Sequence, residues 1–348
     1  MKDGILNINK PSGMTSHDVI RDLRRLLNIK KIGHTGTLDP MATGVLPVCI
    51  GKATRTVEYM DLDFKKYRCT LLLGICTDTQ DIWGKILEHN STVGITVEMV
   101  RKVFSEFHGL ITQTPPMYSA VRVDGRRLYE YAREGKAVDV KSRQVYIRDI
   151  TIEHFDFPYD LDSKKVRFTV ECSKGTYIRT ICQDIGQKLG CGAVMESLCR
   201  IESGRFKIED ALDLDDLINT YSKKIIEDDK HYRIEPAAED AVKKIEKLLK
   251  PVDYPLNHFG IVAVDSYMAK KFIDGWHISL KECKVLSKPE FADKEPEIEI
   301  RPEYRKAYKI YMEETSAGED MTFLGVAFFN EKYHKLVADK VFFRSEEE

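Results

Sequence analysis

Residues 4–9, GILNIN, alternate apolar and polar positions with the period of two that predicts a half-buried strand. A turn follows at KPSG, with Lys10, Pro11 and Gly13. Thr15 or Ser16 can then cap a helix whose apolar face is Val19, Ile20, Leu23, Leu26 and Leu27. Arg21, Arg24 and Arg25 fall elsewhere on that helix, where they either track phosphates or form a solvated face. KKYRCTLLLG (65–74) predicts a strand with an apolar end. Val97, Val100, Val103, Phe104 and Phe107 give residues 96–108 helical spacing. Strands recur at 145–156 and 165–172, and Gly175 turns the chain into a helix with Ile178, Ile181, Cys182, Ile185 and Leu189 on its apolar face. From about 209 the pattern changes. Asp213, Asp215 and Asp216 precede helical repeats that include 241–250, and PVDYPLNHF (251–259) reads as a linker. Beyond it, GIVAV, a short helix at 267–274 and paired strands around 322–329 and 335–343 predict a small β-rich unit, with the charged stretch 281–320 as solvated loop.

Composition narrows the class. At 348 residues, 43% hydrophobic and 32% charged, the chain reads as a soluble globular protein with room for more than one domain. No apolar run approaches the ~18 residues needed to span a membrane, and MKDGILNINKP lacks a signal-peptide core. A cytoplasmic location is the expectation. Eight cysteines show neither a CxxC pair nor another zinc spacing, so buried free thiols are expected and no metal. The net charge of −2 conceals an asymmetry: residues 1–208 carry 32 Lys+Arg against 25 Asp+Glu, while 209–348 carry 22 against 31. An excess of seven cations permits polyanion binding by the first part without requiring it.

Candidate chemistry centres on KIGHTGTLDPMATGVLPVCIGKATR, residues 31–55, whose one acid is Asp39. Gly33, Gly36 and Gly44 allow turns and close approaches around it, so the carboxylate can be held by its loop and still reach a ligand. Asp before Pro is also a common turn former, and alone the residue fits that simpler role. The end of the segment imitates a phosphate-binding P-loop. However, six residues rather than four separate Gly44 from Gly51, and Ala53 follows Lys52, which rejects that motif. Thr77, Asp78, Thr79 and Asp81 form a polar turn that fails the calcium-loop pattern. Between Gln113 and Lys136, Tyr118, Tyr129 and Tyr131 interleave with Arg122, Arg126, Arg127 and Arg133, a mixture suited to phosphates and stacked bases. Tyr177 and Arg179 open the helix after Gly175, a strand-turn-helix junction that can aim side chains at a ligand. Leu198 and Arg200 precede Gly204 in SLCRIESGRF.

In order along the chain, GILNINKPSGMTSHDVI, GHTGTLDPMATGVLPVCIGKATR, KKYRCTLLLG, QTPPMYSAVRVDGRRLYEYAREG, CSKGTYIRTICQDIG and the Leu198-Arg200-Gly204 segment resemble the TruB family of tRNA pseudouridine synthases. That family converts uridine 55 in the T arm of tRNA. The resemblance implies an α+β fold: a pseudouridine synthase catalytic domain with a mixed, mainly antiparallel central sheet over 1–250, and a small β-rich PUA-like RNA-binding domain over 257–344. It also implies that Asp39 is the essential aspartate, Tyr67 the tyrosine that stacks on the target base, and Arg179 the arginine paired with the acid. His34 would contact RNA beside the flipped nucleotide, Tyr177 and Leu198 would shape the pocket, and Lys10 would lie near it. Isomerising uridine transfers no group and changes no oxidation state, so no cofactor is expected. tRNA is the expected partner, with no membrane, no protein partner and a monomeric state. Two other readings accompany this one: a tRNA-binding or RNA-folding protein whose activity is incidental, and a guide-dependent RNA pseudouridine synthase.

Overall fold

The computed structural model describes residues 1–62, 64–158, 163–228, 231–290, 301–313 and 321–343. The N-terminal segment forms the strand Gly4–Lys10 in a ten-stranded sheet, but it is not half-buried as its alternation predicts: Leu6 and Ile8 pack into one core and Ile5 into another, so both faces are covered. Its main path runs through the strands starting at 212, 4, 43, 193, 65, 165, 143 and 109, in that spatial order; Ile32–His34 and Phe206–Lys207 pair to its side. Two pairings are parallel, Gly4–Lys10 with Leu212–Asp213 and Thr43–Ile50 with Ala193–Ser203, and the others are antiparallel. The architecture is therefore α+β with a mixed, mainly antiparallel central sheet. Helix Ser16–Leu27 begins at Thr15, whose side chain accepts from Asp18 N while Asp18 reaches back to the Thr15 N–H. Such reciprocal capping satisfies two donors that a helix start otherwise leaves open. Val19, Ile20, Leu23, Leu26 and Leu27 bury the apolar face against Leu6, Ile8, Leu46 and Val48 of the sheet. Arg21 pairs with Asp18 and Asp22, while Arg24 and Arg25 donate to the carbonyls of Ile32 and Tyr232.

A second core lies under helices Val97–Phe104 and Ile178–Leu189, where Phe104, Ile181, Cys182 and Ile185 pack on Cys69, Leu71 and Phe168. The first of these helices is shorter than its apolar spacing predicts. It ends at Ser105, and Phe107 enters the core from the turn beyond. All eight cysteines are free; Cys49, Cys69, Cys172, Cys182 and Cys191 are buried.

Residues from 260 onward build a separate six-stranded sheet around Val262, Phe272, Ile310, Leu324 and Leu336. The charged stretch corrects the expectation of solvated loop. Lys284–Ser287 and Ala307–Glu313 are strands, and Ala307, Tyr308 and Ile310 are buried. The charge density of forty residues masked a short, mostly apolar run, AYKIYME. The remainder of that stretch, 291–300 and 314–320, lies outside the described residues. Nor is 251–259 a loose linker: Leu256 and Phe259 are buried with Tyr59, Tyr304 and Phe342, and Lys250 exchanges backbone hydrogen bonds with Ile5. Tyr59 also donates to Asp339, and Tyr304 to the Glu58 carbonyl.

Candidate active site

Asp39 sits on the loop between Ile32–His34 and Thr43–Ile50, and the preceding turn explains why that loop holds one shape. Pro40 O accepts from Lys10 Nζ at 2.9 Å and from Gly13 N at 3.0 Å, Met41 O accepts from Ser12 Oγ at 3.1 Å, and Leu38 N donates to Ser16 Oγ at 2.9 Å. Lys10 is fully buried, and its ammonium also donates to the Pro11 and Met14 carbonyls. All three of its donors are engaged by backbone, so Lys10 acts as an internal strut of the Asp39 loop and has no donor left for RNA. Burial pulls its ammonium down to about 8.

Arg179 reaches Asp39 from the other side of the sheet's cleft. It lies in the first turn of helix Ile178–Leu189, whose start is clamped by Gln113: Tyr177 N donates to Gln113 Oε1 at 2.7 Å and Gln113 Nε2 donates to Tyr177 O at 3.0 Å. The guanidinium meets both carboxylate oxygens, Nε to Oδ2 at 3.0 Å and Nη2 to Oδ1 at 3.3 Å. It also donates to Thr79 O at 3.0 Å and Tyr118 O at 2.9 Å, and stands 3.8 Å from Asp81 Oδ2. Arginine's planar fork suits such a multiple contact better than lysine's point charge. Arg179 is buried, whereas the Asp39 side chain keeps 37% of its exposure and so faces the cleft. Burial raises the Asp39 carboxyl above its ordinary value and outweighs the opposing pull of Arg179; Asp81 adds to the rise. Arg179 thus pulls the Asp39 carboxyl toward its ionised form without reversing the net direction.

Tyr67 and Arg200 face each other in register between strands Lys65–Leu73 and Ala193–Ser203. Both are buried, and Arg200 donates to Val45 O at 2.6 Å and Gly36 O at 3.2 Å. Strand Thr43–Ile50 can approach Arg200 this closely because position 44 is glycine. A Cβ there would lie 2.2 Å from Arg200 O, and φ is +103°. Burial pushes the Tyr67 phenol above its usual value, against the pull of Arg200, so it is neutral in the free protein.

Asp39, Tyr67, Arg179, Tyr177, His34 and Arg200 line one cavity of about 660 Å³, within the ordinary range for a ligand site. Tyr118, Arg122, Arg127 and Tyr129 supply another part of its wall, which brings the basic-aromatic segment to the acid. Leu198 is buried and pairs in register with Cys69; like Lys10 it supports the wall from behind. Of the acids of the 77–81 turn, Asp81 stands beside Arg179 while Asp78 accepts from Lys85 N at 2.8 Å. Arg200 in the cavity wall and Asp81 beside Arg179 are among the groups to which the residue-by-residue reading gave no role. Their signal was present in the SLCRIESGRF and TDTQD segments, but only the sheet register and the Arg179 side chain reveal it.

His34 has its Nδ1 accepting from Gly36 N at 3.3 Å, which leaves the proton on Nε2, and its ring meets His17 edge-on at 5.7 Å. Burial, then His17 and Arg200, hold His34 down at about 4. A group whose folded value is depressed binds fewer protons folded than unfolded, so its contribution to stability is full above about 6.5, the unfolded value, and is lost as pH falls through about 4. Thermal melts of His34→Gln between pH 7 and 4 are expected to fall less steeply than those of the wild type. Parallel curves would remove the assignment.

The sequence compares with known proteins as follows. Residues 24–178 match the profile described as TruB family pseudouridylate synthase (N terminal domain), and 179–257 match that of the tRNA pseudouridylate synthase B C-terminal domain. The chain is 40% identical to the tRNA pseudouridine synthase B of Clostridium novyi over 96% of its own length and 98% of that protein. It is 47% identical to the protein of that name from Clostridium acetobutylicum, over 71% and 83% respectively. Among solved structures, an H/ACA RNP bound to a substrate RNA containing 2′-deoxyuridine superposes with a TM-score of 0.65 at 22% identity, covering 99% of this chain and 86% of that one. A Cbf5-Nop10-Gar1 complex gives 0.65 at 24%, covering 98% and 85%. At those identities the likeness is one of fold.

Proposed function

Because the chain belongs to the TruB family of pseudouridylate synthases, we propose that it isomerises uridine 55 in the T arm of tRNA to pseudouridine, with Asp39 as the acting carboxylate. The observation that carries the reading is the fork of Arg179 on Asp39, at the wall of a cavity large enough for one nucleoside. The isomerisation breaks the bond from ribose C1′ to N1, rotates the uracil and joins C1′ to C5; C5 gives up its proton and N1 takes one up, so the product is an isomer of the substrate. An ionised carboxylate fixed beside the ribose can act as nucleophile or as base in this sequence. The target base must leave its stack, at a cost of a few kcal/mol that contacts in the pocket offset. Tyr67, buried and neutral, fits a stacking surface for the extruded uracil better than a base. His34, with its Nε2–H free of Nδ1's bond to Gly36, and Tyr177 would meet the RNA around it. Lys10 and Leu198 act behind them. The arginines of the 113–136 segment would meet phosphates.

We take residues 1–250 as the catalytic domain and 257–344 as a PUA-like domain that extends the RNA contact. The reaction needs no membrane or protein partner, and the protein is read as a cytoplasmic monomer. Incubating pure protein with an unmodified tRNA transcript and mapping pseudouridine by position tests this. Product at the T-arm uridine is expected; product elsewhere overturns the substrate assignment.

A further inference from the structure

We infer that the Ser119 hydroxyl is a hydrogen-bonding contact to the target nucleoside, a positioning group for the reaction beyond the acid, the tyrosine and the arginine. This rests on the isomerase reading above and deepens it. Ser119 lines the cavity with Asp39, Tyr67 and Arg179, yet is only 5% exposed. Its Oγ is buried and has no hydrogen-bond partner among the described residues. Buried hydroxyls are nearly always bonded, and an orphan one at a site calls for a reason. On one side Tyr118 O accepts from Arg179 Nη2 at 2.9 Å, and on the other Ser119 O accepts from Tyr129 N at 3.1 Å. The backbone of 118–119 is thereby tied both to the arginine that grips Asp39 and to the segment 128–133 helix. The backbone that carries the hydroxyl is thus held relative to the reacting acid, and Ser119 is a lining residue of the cavity.

A hydroxyl at that place both donates and accepts. The target nucleoside offers matching partners of one chemistry, the uracil carbonyls and N3–H on the base and the 2′-hydroxyl on the ribose. Binding would satisfy the orphan group and help orient the uracil or sugar against Asp39. Preorganised contacts of this kind act on the bound nucleotide more than on overall RNA affinity, since tRNA makes many phosphate contacts that Ser119 does not touch.

The test is Ser119→Ala, with Ser119→Thr as the hydroxyl-retaining control. On an unmodified T-arm stem-loop RNA, Ser119→Ala is expected to lower the single-turnover rate roughly tenfold, the effect of leaving one substrate hydrogen bond unmade. RNA affinity should stay within about twofold of wild type, because one contact among many is removed. The melting temperature should not fall, since deleting an orphan hydroxyl removes no internal bond. Ser119→Thr should recover most of the rate. A stem-loop with 2′-deoxyuridine at the target position separates the two sources. If Ser119 bonds the ribose, wild type and Ser119→Ala become equal on it; if it bonds the base, their ratio persists. A wild-type rate from Ser119→Ala on the ribo-substrate overturns the inference, as does a loss of activity matched by a loss of melting temperature. Absence of product with the wild type would instead sink the isomerase reading itself.

Discussion

Asp39→Asn is expected to bind an unmodified tRNA transcript within about twofold of wild type and to form no detectable pseudouridine, a loss of at least ~10³-fold in single-turnover rate. The amide keeps the size of the carboxylate and one oxygen to accept from Arg179, so the loop held by Lys10, Ser12, Gly13 and Ser16 has no reason to move. What disappears is the negative charge, and with it the nucleophile or base that the proposed role of Asp39 requires. Gel shift measures the first expectation and release of the C5 proton measures the second. Turnover by the amide would remove Asp39 from its role. Comparing how the two proteins refold a misfolded tRNA would show whether RNA handling survives without the charge.

Arg179→Lys should be nearly as damaging to the rate, by about 10²–10³-fold, although it preserves the charge. A lysine ammonium cannot span both Asp39 oxygens while also reaching the Thr79 and Tyr118 carbonyls, all of which Arg179 serves together. Breaking a fully buried pair costs about 3–5 kcal/mol; here Asp39 opens to the cleft, so about 2–3 kcal/mol in urea denaturation is expected. A pH profile distinguishes positioning from mere scaffolding. The ionised acid is the active form, so the rate rises with pH through its titration. Arg179 pulls the Asp39 carboxyl down against burial. With a poorer cation in place, the carboxyl rises further and the acid limb of the profile moves to higher pH. An unmoved acid limb in Arg179→Lys would exclude that electrostatic role.

Much of the local structure was legible in the chain because local rules decided it. GILNIN could be read as a strand from its period, Thr15 or Ser16 as a cap from a hydroxyl ahead of an apolar helix face, with the fold using Thr15, and Gly175 as the turn before helix Ile178–Leu189. The reading failed where averages hid a short pattern, as in AYKIYME within its charged surroundings, or where a Pro-rich segment looked free and was packed, as in 251–259.

The segment 31–55 showed its acid, and the ordered motifs named its company, since residue types and their sequence order survive in one dimension. Which groups touch did not. Asp39 to Arg179 is a contact across 140 residues, and Arg200 against Tyr67 depends on the register of two strands. Lys10 was placed by the motifs only near the pocket, and the fold turns its ammonium inward onto three carbonyls. Ser119 looked like nothing at all until the same folding buried its hydroxyl without a partner at the cavity wall. The sequence by itself determined the elements, the family pattern and the chemical cast. Tertiary structure alone decided the pairings, the burial and hence the charge states, because these depend on distances in space that no local spacing encodes.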